Sequence, residues 1–350
     1  MLKRNILIIK LSAIGDVIMA TPSFLAIRNK YPEARVHLLV GKWSRSVVEN
    51  NPNIDEIISV DENIFWKKKI FHLFKLFLKL RSKRFEIIYV MHWSNFFNLF
   101  ALWFGAKERI GFDRFNRGAF LTKKVLFKEG ERGLHIVEKY LKLVEDNLQN
   151  CSKKMDLYLT EDEINSAQKK LEVYGLFRTN RIVGIAPGGG INPKSRMSTR
   201  CWPIKYFSEL VNKIINELNM SVVLFGAEME KNLSRIILND VINKNKIVNL
   251  IGKTNLRESS AIMKMCRVMI ANDSAPLHLA AAVGIKTISI FGPTAPYDKA
   301  PIGKEHFYFY RELICSPCYK YGKFKKCKTL SCMKLIKPDE VFRKVKEFSL

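Results

Sequence analysis

The sequence lacks several patterns that would assign a class directly. It contains neither G-x-G-x-x-G nor the Gly-Lys-Ser/Thr ending of a P-loop, which excludes those two phosphate-binding fingerprints. No apolar stretch reaches the roughly 18 residues that a membrane-spanning helix needs. No separate apolar segment with a small-residue cleavage site marks a secretory signal, so we expect a cytoplasmic protein.

Acidic residues are also scarce. The chain carries 33 Asp and Glu against 59 Lys and Arg, a formal charge of +26. This excess favours an anionic partner, such as nucleic acid, acidic lipid or a phosphorylated substrate. Lys, Ile and Asn are abundant throughout, so compositional drift is an equally simple explanation. Charge alone does not choose between them.

The apolar residues, 47% of the chain, predict a globular α/β protein. Short apolar runs such as "NILIIK" and "RVHLLV" alternate with amphipathic segments, and the alternation restarts at "RIVGIAP" after a polar stretch around residues 151–180. This predicts two doubly wound domains, each with a parallel sheet, and a cleft between them. We place the domains at 1–165 and 166–335, followed by a helix at 336–350 that packs back on the N-terminal domain.

The N-terminal "KLSAIGDVIMATP" connects a buried strand to a helix. Gly15 allows close backbone approach at the carboxyl end of that strand, where ligands of open α/β sheets bind. Asp16 is predicted at the same place. It has two interpretations: a helix cap, since Asp is a favoured N-cap residue, or a carboxylate that acts on a ligand.

The segment Ile64 to Phe85 interleaves large apolar side chains with eight Lys or Arg. Trp66, Lys67, Lys68 and Lys69 lie at its start. One interpretation is a helix that docks on an anionic membrane surface. The other is a long surface helix that packs one apolar stripe on its own sheet and leaves its lysines in water.

Three loop motifs follow predicted strands of the second domain. "IAPGGGINPKSRMSTRCWP" combines glycines with basic side chains and can cradle a diphosphate; "LFGAEMEK" places an acid where it can accept hydrogen bonds from a ribose or complement a helix dipole. In "IANDSAPLHLAAAVG" an Asp-Ser pair caps a helix, and a histidine one turn later is either a core residue or a site residue. The candidates are Gly188, Gly189, Lys194, Arg200, Glu228, Asp273, Ser274 and His278.

Four cysteines near the C-terminus, Cys315, Cys318, Cys327 and Cys332, have the spacing C-x2-C-x8-C-x4-C. This spacing is compatible with a structural zinc site, and in a cytosolic protein metal binding or free thiols outrank disulfides. We predict a structural role, as a zinc site or as paired thiols, rather than a catalytic one.

Taken together and in order, "KLSAIGDVIMATP", Arg200 before "WP", and "NDSAPLHLAAAVG" followed by "FGPT" resemble glycosyltransferase family 9, the bacterial heptosyltransferases. The resemblance implies the GT-B fold, two facing Rossmann-like domains with a cleft between them. It implies an inverting transferase in which the N-terminal domain binds the acceptor and Asp16 is the general base.

The resemblance also implies the donor contacts. Arg200 lies where the family commonly has a diphosphate-contacting lysine, Glu228 matches a ribose-contacting acid, and Thr254 lies near the adenine position. Asp273, Ser274, Ala275 and His278 match the loop and helix start that hold the nucleotide. Ala275 stands where the family often has Gly.

The implied partners are an ADP-heptose donor, a Kdo-lipid A or heptosylated core acceptor, and the anionic surface of the inner membrane. No nucleic acid, cofactor or catalytic metal is expected, and no D-x-D pattern is present for a metal that bridges a diphosphate. Three alternatives stay open: a transferase for another nucleotide sugar, a GT-B-like sugar-nucleotide epimerase, and a basic nucleic-acid-binding protein.

Overall fold

The computed structural model describes residues 4–67, 70–113, 116, 118–126, 134–176, 181–192, 195–320, 323–324 and 327–349. The chain divides into two compact units, Met1–Met155 and Asp156–Leu350. In this described part, no helix is both long enough and apolar enough to cross a membrane.

The first unit is a six-stranded parallel sheet with helices. Its strands are β1 Asn5–Ile9, β2 Arg35–Gly41, β3 Glu56–Val60, β4 Ile87–Val90, β5 Glu108–Asp113 and β6 Lys123–Leu126. Its helices are α1 Ile14–Ile18, α2 Thr21–Lys30, α3 Asn63–Trp66, α4 Ile70–Arg81, α5 Asn95–Leu102 and α6 Ile136–Leu141, with a 3-10 helix at Lys42–Val47. The strand order is β3-β2-β1-β4-β5-β6. The first three strands are therefore added towards one edge of the sheet and the last three towards the other, and this order reverses between β1 and β4.

The apolar runs explain why β1 is central. Ile6, Leu7, Ile8 and Ile9 are all inaccessible to solvent, as expected for a strand covered on both faces. Ile8 pairs in register with Leu38 of β2 on one side and with Tyr89 of β4 on the other. Ligands of such sheets bind outside the carboxyl ends of the strands at the reversal point, here just after β1 and β4.

The second unit repeats this architecture. Its strands are β7 Ile182–Ala186, β8 Ile191–Asn192, β9 Ser195–Arg196, β10 Ser221–Leu224, β11 Ile247–Asn249, β12 Val268–Asn272, β13 Lys286–Ile290, β14 His306–Phe309, β15 Tyr319–Lys320 and β16 Lys323–Phe324. Its helices are α7 Glu161–Val173, α8 Ile204–Leu218, α9 Lys231–Asp240, α10 Leu256–Met263, α11 Ala275–Ala282, α12 Pro296–Lys299, α13 Ser331–Lys334 and α14 Pro338–Ser349. The 3-10 helices are Ser198–Arg200, Glu228–Glu230 and Lys244–Lys246.

The main sheet of this unit has the order β11-β10-β7-β12-β13-β14, the same pattern as the first, and all its pairs are parallel. Two small antiparallel pairs, β8 with β9 and β15 with β16, lie outside it. The predicted fold class, two doubly wound α/β units, is confirmed.

The apolar side of the last helix, α14, lies in the core of the second unit. Val341 and Val345 are fully buried there, in the same cluster as Leu210 and Val211 of α8. The helix therefore completes the core of the second unit and covers apolar residues of α8. The expected packing of 336–350 on the N-terminal domain stays a prediction.

Candidate functional site

Asp16 lies in the first turn of α1, at the carboxyl end of β1. The helix begins after Ala13, so Asp16 is its third residue and not the N-cap that the sequence suggested. Its Oδ2 accepts a hydrogen bond of 3.3 Å from the backbone N–H of Ala13, while the side chain is only half-buried. Gly15 precedes it as the second residue of the same helix. The carboxylate thus supports its own helix and remains partly accessible.

Two residues that sequence reasoning missed, His92 and Tyr140, lie close enough to Asp16 to be affected by its charge, and Lys10 lies close to both. Lys10, only 1% exposed, donates from Nζ to Ser12 O at 2.8 Å and lies 5.3 Å from the ring centroid of Tyr140. Burial, reinforced by the charge of Lys10 and partly opposed by Asp16, lowers the pKa of His92 to about 3. Burial and the Asp16 charge raise the pKa of Tyr140 above its usual value.

The protonation of His92 follows from these contacts. The ring is neutral at physiological pH, and its Nδ1 accepts a hydrogen bond of 3.2 Å from Ser94 N–H. A neutral imidazole whose Nδ1 is an acceptor carries its proton on Nε2. His92 lies two residues after the end of the buried strand β4, the neighbour of β1. That placement after a buried strand was the sequence signal for this residue.

In the second unit, Asn272 holds three loops together at the carboxyl ends of the strands. This residue ends β12 and is inaccessible to solvent. Its Nδ2 donates to Pro187 O at 2.9 Å and to Gly188 O at 3.0 Å, and its Oδ1 accepts from Trp202 N–H at 3.1 Å. Asn272 itself precedes the loop that leads into α11, so its side chain joins that loop to the glycine loop and to the "RCWP" segment. Sequence reasoning quoted Asn272 inside its motif but gave it no role.

Arg200 and Asp273 form the charged centre of this edge. Arg200 Nη1 lies 3.3 Å from Asp273 Oδ2 and donates to Asp273 O at 3.2 Å. Burial of Asp273 favours its neutral form, but the positive charges of Arg200 and Lys299 prevail and hold its pKa below the ordinary value. Both ions are shielded from water, with side chains 13% and 4% exposed. Arg200 is therefore fixed in orientation by a carboxylate.

The glycine loop is packed against Glu230, an acid that the sequence analysis did not single out. A Cβ at Gly188 would lie 1.7 Å from Oε1 of Glu230, and a Cβ at Gly189 would lie 2.3 Å from Met197 O. Glu230 is 8% exposed and accepts from Ala227 N–H at 2.9 Å. Glycine is required here because the buried carboxylate of Glu230 occupies the space of a side chain.

Glu228 lies further out. Its side chain is 67% exposed and pairs with Lys231 at 2.5 Å. Its Oε2 lies 2.4 Å from where a Cβ of Gly252 would be, beside the loop that carries Thr254. Thr254 is half-buried, with Oγ1 2.7 Å from Ser259 Oγ. Glu228 and Thr254 thus flank one side of the strand ends, while Glu230 lies beneath the glycine loop.

The remaining donor candidates sit at the start of α11. Ser274 is its N-cap residue, but its hydroxyl donates to Asn272 O at 3.2 Å and does not cap the helix. Ala275 is the first helical residue. His278 is buried, and it lies close enough to Asp273 to lower the pKa of the Asp273 carboxyl group. Lys194 lies outside the described residues.

The segment Ile64 to Phe85 packs part of its surface on the first unit and leaves other apolar side chains exposed. In α4, Leu76 and Leu80 lie in the core of the first unit. Phe71, Phe74 and Leu78 expose 75%, 56% and 50% of their surface on another side of the helix. The start of the segment is less fully described: Lys67 is exposed and the backbone of Trp66 ends α3, whereas Lys68 and Lys69 lie outside the described residues.

The four C-terminal cysteines are free thiols. Burial and the proximity of Cys318, Cys327 and Cys315 raise the pKa of Cys332 to about 11. Leu330 N–H donates to Cys327 Sγ at 3.3 Å, and such backbone hydrogen bonds lower the pKa of Cys327. No group of three or more His, Cys, Asp or Glu in the described ranges is arranged to hold a metal. The structural role of these cysteines stays a prediction.

The two sheets and the loops at their carboxyl ends define a class of protein, the two-domain α/β proteins that bind nucleotides at strand ends. Within this class the family is clear. A model of glycosyltransferase family 9 (heptosyltransferase) matches residues 73–329. The chain belongs to this family, so it is a glycosyltransferase, which decides against the epimerase and nucleic-acid alternatives.

Individual relatives agree with this assignment. The chain is 28% identical over 344 residues to lipooligosaccharide heptosyltransferase 2 of Campylobacter jejuni serotype O:2, covering 95% of this chain and 94% of that protein. It is 26% identical over 311 residues to lipopolysaccharide heptosyltransferase 2 of Escherichia coli K12, covering 85% of each chain. The solved E. coli ADP-heptose LPS heptosyltransferase II has the same fold, with a TM-score of 0.80 at 22% identity over 99% of this chain and 98% of that one.

Proposed function

We propose that this protein transfers a heptosyl group from ADP-heptose to the inner core of lipopolysaccharide, on Kdo-lipid A or on a heptosylated core. Family membership supports the reaction class. The names of the relatives, lipopolysaccharide and lipooligosaccharide heptosyltransferase 2, support the acceptor class. The description of the E. coli structure supports an ADP-linked donor.

The observation that carries the mechanism is the half-buried Asp16 carboxylate at the end of the central strand β1. In the proposed reaction, Asp16 accepts the proton of the acceptor hydroxyl. That oxygen forms a bond to the anomeric carbon as the bond from this carbon to the diphosphate breaks. ADP leaves with the electron pair, and the anomeric centre is inverted. Because His92 is neutral, it adds no positive charge beside the Asp16 carboxylate.

We propose that the second unit binds the donor and the first unit the acceptor. Arg200, oriented by Asp273, neutralises the charge that develops on the departing ADP. The other contacts assigned to the donor are Gly15, Gly188, Gly189, Lys194, Glu228, Thr254, Ser274, Ala275 and His278. The buried Glu230 supports the glycine loop from beneath, since its carboxylate is held next to Gly188.

An Asp16→Asn variant tests the mechanism. The amide keeps the size of the side chain but cannot accept the proton, so we expect heptosyl transfer to fall by at least ~100-fold, while calorimetry shows unchanged affinity for ADP. Asp146→Asn is the matched control, since Asp146 is an 87% exposed carboxylate of the same unit. Transfer at the wild-type rate by Asp16→Asn would exclude Asp16 as the base.

Calorimetric titration tests the donor. ADP-heptose and ADP should bind, and UDP-glucose and GDP-mannose should not. Tighter binding of the uridine or guanosine sugar would retain the family and the role proposed for Asp16, but would contradict ADP-heptose as donor.

We further propose that the exposed side of α4 docks on the anionic surface of the inner membrane, from the cytoplasmic side. Its exposed apolar residues Phe71, Phe74 and Leu78 are interleaved with exposed Lys75 and Lys79. This pairing of aromatic groups with cations fits a layer of acidic headgroups above acyl chains. The predicted residues Trp66, Lys67, Lys68 and Lys69 precede this helix and extend the basic stretch.

Vesicle sedimentation tests this surface. Wild type should bind phosphatidylglycerol vesicles more strongly than phosphatidylcholine vesicles, and replacing Phe71, Phe74 and Leu78 with Ser should abolish most of the binding. Val173→Ser with Ile242→Ser is the control, because these residues are 84% and 79% exposed in the second unit. Equal binding by the α4 variant and the control would refute the docking surface.

A further inference from the structure

The ring of Tyr319 lies against two cations of the second unit. The guanidinium carbon of Arg200 is 5.4 Å from the ring centroid, and Nζ of Lys299 is 5.5 Å from it. Both distances fall within the roughly 6 Å over which an aromatic face attracts a positive charge. Tyr319 lies in the segment 315–332 that carries the four C-terminal cysteines (the cysteine segment), and Lys299 ends α12.

The backbone fixes the ring in place. The N–H groups of Cys318 and Tyr319 both donate to Pro293 O at 2.9 Å. Pro293 lies in the loop that follows β13, at the same edge of the sheet as Asp273, which follows the neighbouring strand β12. The cysteine segment is thus tied to the strand ends where the donor contacts lie. Its aromatic side chain reaches the centre of that region.

The two cations beside Tyr319 differ in their ion pairing. Arg200 has a carboxylate partner in Asp273. Lys299, in the described part of the chain, forms no ion pair with a carboxylate, although its charge is felt at Asp273. The two cations repel each other, and the single carboxylate of Asp273 together with the ring face compensates their charge only in part. A group with two adjacent negative centres would satisfy both cations at once.

We propose that Tyr319 is a positioning residue that holds Arg200 and Lys299 side by side for the diphosphate of the donor. This inference rests on the proposed donor class and adds two residues to it. Lys299 contacts the diphosphate directly, whereas Tyr319 acts through the two cations. The hydroxyl of Tyr319 is not required, because the aromatic face makes the contact.

Calorimetry of the full chain with ADP and with inorganic pyrophosphate tests this role. Tyr319→Leu keeps apolar volume and removes the aromatic face, so the Kd for both ligands should rise about five- to tenfold. Tyr319→Phe should restore most of the affinity. Lys299→Met should also weaken binding, and the double variant should be little weaker than either single one, since the two residues act together. The matched control is Tyr206→Leu on α8, which removes a ring whose centroid lies 5.4 Å from Lys337 Nζ.

The possible outcomes distinguish the role of Tyr319 and Lys299 from the proposed class of donor. Wild type that binds pyrophosphate in a Tyr319-dependent way but does not bind ADP would support the cation pair and contradict the proposed donor. Wild type that binds ADP, with Tyr319→Leu equal to the Tyr206→Leu control, would overturn this inference and leave the donor intact. Strictly additive effects of Tyr319→Leu and Lys299→Met would also overturn it. Failure of wild type to bind either ligand would overturn both.

Discussion

The three-loop contact of Asn272 allows a quantitative prediction. Asn272→Ala removes two hydrogen bonds to the carbonyls of Pro187 and Gly188 and one from the N–H of Trp202. All three groups face a residue that water does not reach. At a net contribution of about 1 kcal/mol for each buried hydrogen bond, the loss is about 3 kcal/mol. For a domain of this size that corresponds to a fall in Tm of about 6–12 °C.

The same change should weaken donor binding. Asn272 fixes the glycine loop and the segment of Arg200, so its removal frees both to move. We expect the Kd for ADP to rise about tenfold, since loops that must be ordered on binding lose affinity. Asn272→Asp is a second variant of nearly equal size. It keeps an acceptor for Trp202 N–H but sets a carboxylate oxygen against two carbonyls, so it should be at least as destabilising.

Thermal unfolding followed by circular dichroism, with ADP calorimetry, provides the assay. Asn212→Ala is the control: it also loses two side-chain contacts, to Asp240 O at 3.1 Å and from Ile242 N–H at 3.0 Å, but it lies on α8 and its side chain is only half-buried. The control should lower Tm less and leave ADP affinity unchanged. If Asn272→Ala matches the control in both measurements, the assignment of Asn272 as the organiser of the site is wrong.

Three further predictions concern pH and packing. Hydrogen bonds from Arg257 lower the pKa of Glu163 from 4.5 to about 2, so the pair stabilises the fold above pH 4.5 and this stabilisation disappears as pH falls towards 2. In thermal unfolding, the stabilities of Glu163→Gln and wild type should differ by about 1 kcal/mol at pH 7, after allowance for solvent screening, and should converge at pH 2. A pH-independent difference would contradict this. Burial lowers the pKa of His92 to about 3, so the folded state resists protonation of this ring and loses stability as pH falls below 6.5. The Tm of His92→Phe should therefore decline less steeply between pH 6.5 and 3 than the Tm of wild type. Parallel plots of Tm against pH for the two proteins would argue against a buried neutral ring. Gly188→Ala places a Cβ 1.7 Å from Oε1 of Glu230 and should cost about 1–3 kcal/mol, less in the Glu230→Ala background; equal costs in both backgrounds would show that the carboxylate is not what the methyl meets.

Much of the fold could be predicted from the sequence. Runs such as Ile6 to Ile9 have no polar alternation, and this pattern requires a strand covered on both faces, hence a parallel α/β sheet. The polar stretch around residues 151–180 marked the division of the chain, which the structure places between Met155 and Asp156. These features are local, because they depend on side-chain periodicity along one segment. Family membership was likewise carried by short motifs in order.

The site depended more on tertiary structure. Glu228 and Glu230 are two residues apart and equally suitable in sequence, and only the fold shows that Glu230 is buried against Gly188 while Glu228 is exposed. The last helix illustrates the same limit, because an amphipathic pattern predicts that one side is buried but does not name the surface that covers it.

The sequence by itself determined the two α/β sheets, the family, and the placement of Asp16 and Asp273 after buried strands. Only the tertiary structure decided which side chains meet at those strand ends: Asn272 between three loops, His92 beside Asp16, and Tyr319 against Arg200 and Lys299. The physical reason is distance along the chain. Backbone periodicity is fixed within a few residues, whereas a contact such as that between Arg200 and Tyr319 joins segments more than 100 residues apart and exists only after both have packed on the same sheet.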